Sequence, residues 1–494
     1  MNFTSQQESF IKNYLKKIIN GEAAIFAGAG LSVGAGFVDW RGLLKDIAEE
    51  IELEVDKETD LISLTQFHVN EKGGRGRINQ KIIDEFKEKA EASENHKILS
   101  RLPIRTYWTT NYDSLIEDAL EEASKRVDIK HMVSQLPDTT YKRDAVVYKM
   151  HGDAKYPAQA TITKDDYERY HRKNEAFVTA LSSDLISKTF LFLGFSFTDP
   201  NLDYILSRVR LFLDGDTRPH YCIIKRVSKN DKNSSTKADF DYNTRRQQLL
   251  ISDLRRFQIE AVLIDEYSDI TELLQEIENR FKRNTIFISG SAADYSPHSE
   301  SDSLEFIHSL TKKLIEEKYS VVNGFGLGVG SAVINGALEA IYNAPKKLNE
   351  EQLIMRPFPQ KKTGRKELSE LWHEYRERMI AFAGIAIFIF GNKVVPDTDN
   401  LAADPHATKL ILADGVRKEF NIAINQGVIP IPIGVTGSVA QELWQSVEQN
   451  FDDYYSGLED AKDPFLALNN SGTTLRQCIP LVIDIISTIT KKKS

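Results

Sequence analysis

Short apolar runs alternate with helical patterns along almost the whole chain. That alternation argues for α/β architecture with mainly parallel sheets. In the first part the pattern predicts strands over 23–27, 106–109, 145–149, 189–193, 221–225 and 261–265. A polar stretch rich in Lys, Asn and Ser over 227–243 reads as a surface loop, followed by a helix over 242–258. A charged helix over 270–282 then ends, and a second series opens with strands over 285–289, 320–323, 385–390 and 428–433. Helices over 303–318, 331–342 and 366–382 lie between them. The boundary therefore falls near Arg283-Asn284, giving a domain over 1–283 and a second over 284–494, both Rossmann-like.

Composition narrows the class. At 494 residues the chain exceeds one ordinary core. It is 41% hydrophobic and 27% charged, as expected of a soluble globular protein. A net charge of −9 gives no general electrostatic reason to bind nucleic acid or an anionic membrane. The two cysteines, Cys222 and Cys478, stand far apart in apolar segments and read as buried thiols of a reducing compartment. No zinc cluster can be built from them, and no metal is expected. The N-terminus lacks the basic and apolar regions of a signal peptide. The apolar run 479–489 is too short to span a bilayer and carries Asp484. A cytoplasmic protein is the expectation.

The candidate chemistry lies just beyond the predicted strands. Ala27-Gly28-Ala29-Gly30-Leu31-Ser32 joins the first strand to a helix-like segment, as a phosphate cradle does. Gly36-Phe-Val-Asp-Trp40-Arg41 follows shortly after. Thr109-Thr-Asn111-Tyr-Asp113, His151-Gly-Asp153 and Gly194-Phe-Ser196 follow three further strands. Open α/β sheets bind ligands at these strand ends. Each segment also has a structural reading. Asn111 and Asp113 suit the cap of a helix over 114–123. His151 suits a satisfied core histidine, Gly194 a turn, and Trp40 a core position. Five such segments at equivalent strand ends are harder to dismiss together.

In this order and spacing the segments resemble the sirtuin-like NAD-binding domain, over roughly residues 10–283. The resemblance implies that Ala27 to Gly30 and Ser32 hold the pyrophosphate. It implies that Asn111 and Asp113 hold nicotinamide and its ribose, and that His151 is the catalytic base on the ribose side. Gly194 and Ser196 would meet the adenosine-side phosphate or ribose. The Phe and Arg of the family's cofactor-covering loop would fall on Trp40 and Arg41. Protein-deacylating sirtuins carry a four-cysteine zinc module that two cysteines cannot supply. That puts the acyl-lysine groove in doubt and leaves water as the natural nucleophile. Breaking the bond between nicotinamide and ribose turns a cationic pyridinium into a neutral leaving group, so no general acid is needed. The enzyme must hold the ribose, desolvate the nicotinamide and place water on the open face. Asn111 suits the carboxamide or that water, and a histidine near its ordinary pKa accepts a proton. Hydrolysis and cyclisation both begin with this cleavage and stay open.

The second series contains Ile288-Ser-Gly290-Ser291-Ala292 and Asn323-Gly-Phe-Gly326-Leu-Gly328-Val-Gly-Ser331, each after a strand. The second segment leaves backbone amides free to surround a phosphate, or else is a flexible turn. The region over 284–494 resembles the SLOG branch of Rossmann-like domains. The glycine-rich loop of the related nucleoside-phosphate-cleaving enzymes is lost in Asp414-Gly-Val-Arg-Lys-Glu419-Phe420, while Glu419 stays. That favours binding over hydrolysis. The resemblance implies a signal-binding set of Gly290, Ser291, Gly326, Gly328, Arg376, Lys393 and Glu419. Two cations suit a pyrophosphate and a carboxylate suits ribose hydroxyls; individually each also suits an ordinary surface charge.

Together the halves resemble the effectors of Thoeris antiphage defence. Asp144-Ala-Val-Val-Tyr-Lys-Met-His-Gly152, Gly194-Phe-Ser-Phe-Thr-Asp-Pro-Asn-Leu-Asp-Tyr204 and Gly324-Phe-Gly-Leu-Gly-Val-Gly330 carry that likeness. It implies an NAD hydrolase, with NAD as substrate. It implies activation by a cyclic ADP-ribose isomer from a partner TIR-domain protein, and assembly into a homotetramer. An NAD-dependent protein deacylase and a non-catalytic NAD or ADP-ribose sensor are the alternatives. Nicotinamide release from NAD alone separates the three.

Overall fold

The computed structural model describes residues 3–86, 90–197, 199–212, 218–231, 234, 236–359, 361–397 and 407–491. The chain divides into two compact units, Met1–Glu278 and Asn279–Ser494.

The first unit carries seven strands: β1 (Ala23–Ala27), β2 (Thr106–Thr109), β3 (Val127–Lys130), β4 (Ala145–Lys149), β5 (Thr189–Leu193), β6 (His220–Lys225) and β7 (Ile259–Ile264). They form one sheet in the order β3-β4-β2-β1-β5-β6-β7, with every pairing parallel. Every residue of β1 and β5 is buried, because central parallel strands are covered on both faces. The chain leaves β1 for β2 on one side and returns to β5 on the other. The topological switch point therefore lies between Ala27 and Leu193.

The second unit carries β8 (Thr285–Ser291), β9 (Ser320–Asn323), β10 (Leu353–Met355), β11 (Ile385–Phe390), β12 (Asn392–Pro396), β13 (Thr408–Leu412) and β14 (Ile429–Pro432). Five of these make a parallel sheet, β10-β9-β8-β11-β14, whose switch point lies between β8 and β11. β12 and β13 pair antiparallel as a separate hairpin. Both units are thus doubly wound α/β folds.

Four strands fall outside the apolar-run pattern. β3 is an edge strand, Val-Asp-Ile-Lys, whose buried Asp128 and Lys130 pair at 2.8 Å. β10 is three residues long, and the β12–β13 hairpin is largely exposed. The helix expected over 242–258 begins at Lys237, where Thr236 caps it. The expected loop over 227–243 thus ends inside a helix, and its residues 232, 233 and 235 lie outside the described residues. The run over 479–489 belongs to a helix, Leu475–Lys491, that buries Cys478, Val482, Ile485, Ile486 and Ile489 along one face. Among the described residues no helix is long and apolar enough to cross a membrane. Both cysteines are buried free thiols, and burial pushes each up to about 12.

Candidate active site and nucleotide site

At the switch point of the first unit two glycine turns interlock. The Gly28 N–H donates to the Leu193 carbonyl at 2.8 Å, and the Gly30 N–H to the Gly194 carbonyl at 2.9 Å. Gly194 has φ +62°, and a Cβ on it would stand 2.1 Å from the Leu31 nitrogen. The glycines here are required first by the close approach of two backbones. Amides 28 and 30, expected to face a phosphate, are engaged within the protein. The helix that follows, Ala29–Val33, has only five residues.

A buried polar network grows from this turn. Asn111 Nδ2 donates to the Gly28 carbonyl at 3.1 Å and to Ser32 Oγ at 3.0 Å. Ser32 Oγ donates to Asp113 Oδ2 at 2.8 Å, and Asp113 Oδ1 accepts the Leu115 N–H at 3.1 Å. Asp113 thus serves the start of the helix Leu115–Glu122 with one oxygen, as its structural reading expected, and Ser32 with the other, although Ser114 is the residue at the cap position.

His151 sits beyond β4, the neighbour of β2, and is buried. Its Nε2 lies 3.3 Å from Asp199 Oδ2 without hydrogen-bond alignment. Tyr167 and Tyr170 meet the ring edge-on. Burial holds its pKa below the ordinary histidine value, and the Asp199 charge opposes that shift. The histidine is therefore neutral at pH 7 rather than poised near its ordinary value.

Beneath both loops lies Lys149, which is fully buried. Its Nζ pairs with Asp153 at 2.6 Å and Glu117 at 3.0 Å. It also donates to the carbonyls of Tyr112 at 3.1 Å and Asp113 at 2.5 Å. One ammonium thereby ties the Asn111–Asp113 loop to the His151–Asp153 loop. Lys149 ends an otherwise apolar strand, and that misfit was the available signal in the sequence.

Other expected residues lie at the margin. Arg41 donates to the carbonyls of Val55 at 2.5 Å and Glu58 at 3.0 Å, so it fastens a loop. Trp40 packs edge-on against Tyr167, which places it on the His151 side. Ser196 is exposed, while Phe195 before it joins an aromatic cluster with Phe26, Phe192 and Phe197. Among the described residues no group of three or more His, Cys, Asp or Glu is placed to hold a metal ion.

The second unit gathers its expected residues around β8 and β11. The glycine-rich loop lies on the 290–292 backbone: the Ala292 N–H donates to the Leu327 carbonyl at 2.8 Å. Gly328 has φ +69°, and a Cβ there would stand 2.0 Å from the Ala292 oxygen. Tyr295 OH holds the Gly328 carbonyl at 2.7 Å. Glu419 is buried, with Oε2 accepting from Ser289 Oγ at 2.6 Å and Oε1 from Arg376 Nε at 3.1 Å. Arg376 also stacks on the Phe358 ring at 4.8 Å. The expected cation and carboxylate are thus partners of each other. Ser291 Oγ donates to the Asn392 carbonyl at 2.8 Å, and Lys393 stands on the hairpin rather than on the parallel sheet. Asn392, which the sequence did not single out, organises this rim. Its Oδ1 accepts the N–H groups of Ala293 at 2.8 Å and Asp294 at 3.0 Å, and its Nδ2 donates to Ser438 Oγ at 3.0 Å.

Residues 105–245 match the SIR2-like domain, and residues 269–489 match the Sir2- and TIR-associating SLOG family. The NAD(+) hydrolase ThsA of Bacillus cereus (strain MSX-D12) is 49% identical over 97% of this chain and 98% of its own length. The proteins of the same name from Cytobacillus dafuensis and Acinetobacter baumannii (strain 532279) are 45% and 44% identical. Those matches cover 98% and 99% of this chain, and 97% and 100% of the relatives. With a SIR2-like unit and a SLOG unit in that order, and such identity from end to end, this chain belongs to the ThsA family of NAD(+) hydrolases.

Proposed function

We propose that this NAD(+) hydrolase breaks the nicotinamide–ribose bond with Asn111 and His151 as its catalytic residues and water as acceptor. The observation that carries the reading is the pair itself: two buried polar side chains on adjacent strand ends beside a switch-point glycine turn. Anchoring of Asn111 Nδ2 turns Oδ1 the other way, toward a role as acceptor for the carboxamide or the attacking water. A neutral His151 accepts the proton of that water or of a ribose hydroxyl. Ala27, Gly28, Ala29, Gly30, Ser32, Asp113, Gly194 and Ser196 form the surrounding NAD-binding set. Nicotinamide release from NAD tests this directly. His151→Ala should lose a factor of about 10² to 10⁴, and near-normal turnover removes the residue from the mechanism.

In the same reading the SLOG unit binds a cyclic ADP-ribose isomer through Gly290, Ser291, Gly326, Gly328, Arg376, Lys393 and Glu419, and binding raises NAD cleavage. The producer is a TIR-domain protein, a partner consistent with the name of the matched SLOG family. The hydrolase works as a homotetramer in the cytoplasm, and NAD loss halts the infected cell. A ligand shifts an equilibrium only by its differential affinity for the active state. Titration with cyclic ADP-ribose isomers, following nicotinamide release, tests the gating. Light scattering tests the tetramer; a fully active monomer sinks it.

A further inference from the structure

We infer that Asp199 is the positioning residue of the proposed base His151, holding the imidazole and facing its charge when it takes up a proton. The inference rests on the reading of His151 given above. Asp199 stands at the mouth of the helix Pro200–Phe212 and divides its two oxygens between two tasks. Oδ1 accepts the N–H groups of Asn201 at 2.9 Å and Leu202 at 3.0 Å, which fixes the carboxylate on the helix start. Oδ2 is left 3.3 Å from His151 Nε2, close enough for its charge to act although out of hydrogen-bond alignment, and accepts from Tyr167 OH at 3.3 Å. In the sequence Asp199 lies within the Gly194–Tyr204 segment with no role read for it; the structure shows how its two oxygens are divided.

The other groups facing His151 do not compete for this role. Tyr167 and Tyr170 come from the helix Lys164–Lys173 and touch the imidazole by ring edges. The Tyr170 phenol donates to the Met150 carbonyl, and burial keeps both phenols protonated. On the loop of His151 itself, Asp153 is paired with Lys149, which also pairs with Glu117. Asp199 is the charge that His151 senses. In the step, water forms the new C–O bond at the ribose carbon, and nicotinamide leaves with the electrons of the broken C–N bond. The water's proton goes to His151. Asp199 takes no proton; it offsets the imidazolium charge at a buried ring, where such a charge is costly.

The test uses the full chain and Asp199→Asn, which removes the charge while an amide oxygen still caps Asn201 and Leu202. Three quantities are read: melting temperature, kcat for nicotinamide release, and the acid limb of the pH profile of kcat/KM. Expected are an unchanged melting temperature and a fall in kcat of about tenfold or more, short of the ~10²–10⁴ for loss of the base itself. The acid limb should move to lower pH, because the charge that raises the His151 pKa is gone. Any other pattern in a folded variant overturns the inference, including a lower rate with an unmoved limb, which is what a merely structural role predicts. If Asp199→Asn does not fold, Tyr167→Phe decides. It strips a donor from Oδ2, so the limb should rise, and an unmoved limb overturns the inference. His151→Gln is run alongside. Wild-type turnover there defeats the assignment of the base, whereas lost turnover there with a wild-type Asp199→Asn defeats only the role of Asp199.

Discussion

Arg376 and Glu419 are bound to each other, Nε to Oε1 at 3.1 Å, inside the proposed signal site. Both side chains are largely withdrawn from water, 14% and 10% exposed. The carboxyl is held between two influences: burial raises its pKa, while Ser289 and Arg376 lower it. A phosphate arriving at Arg376 would meet a guanidinium already oriented by Glu419 and by the Phe358 ring.

That geometry sets the expected outcome for Arg376→Ala. One charge-assisted phosphate contact is worth about 1.5–3 kcal/mol, or roughly 10- to 150-fold in affinity. The variant should bind a cyclic ADP-ribose isomer more weakly by that factor in calorimetry. Arg376→Lys should recover part of it, since charge returns without the planar fork or the stacking on Phe358. Equal affinity for all three proteins removes Arg376 from the signal site.

Asn111→Ala should cost both turnover and stability. The same Nδ2 that would orient the amide for nicotinamide cross-links Gly28 and Ser32. Its loss removes one donor from the buried Gly28 carbonyl, which keeps the Leu31 N–H, at a cost of about 0.5–1.5 kcal/mol. The expected result is a lowered melting temperature together with nearly abolished nicotinamide release well below it. Retained turnover in the destabilised variant would confine Asn111 to a structural role.

Gly194→Ala should be severe, and Gly34→Ala should not. Position 194 combines φ +62° with a backbone nitrogen 2.1 Å from where the Cβ must go. Gly34 has φ −65° and nothing within 4 Å of its Cβ position. Opening the 28–30 turn to admit a methyl group should weaken NAD binding and lower the melting temperature. A Gly194→Ala variant with wild-type KM for NAD would show that the interlocked turns are dispensable.

These cases mark what the chain discloses before folding. The central strands were legible because a strand covered on both faces must be apolar throughout, as β1, β5 and β11 are. β3 and the β12–β13 hairpin were not, because edge and exposed strands need no such run. Asn111, His151 and the glycine turns stood out by their place after strands. The partners of each were hidden, since pairing is a property of space. Asp199 carried no reading of its own, Lys149 looked like the end of a strand, and Arg376 and Glu419, 43 residues apart, like separate contacts. Function was therefore more legible than mechanism: the motif residues named the reaction, but the groups that tune them required the fold.

Acid should loosen the first unit through histidines that are buried neutral. Burial pushes His96 and His220 down to about 4, against an ordinary value of 6.5. His220 Nδ1 accepts the Phe190 N–H at 3.1 Å, so a proton there would abolish a buried hydrogen bond. The folded state prefers the uncharged ring, and as pH falls below 6.5 the unfolded chain takes up the proton first. Stability is therefore whole above pH 6.5 and is lost as pH falls toward 4, by about 3 kcal/mol for each histidine over that window. His220→Asn keeps an acceptor near the Nδ1 position and removes the titration. Urea midpoints measured from pH 7.5 to 4.5 should fall less steeply for this variant than for the wild type. Parallel curves would mean that His220 does not contribute to the acid sensitivity of the unit.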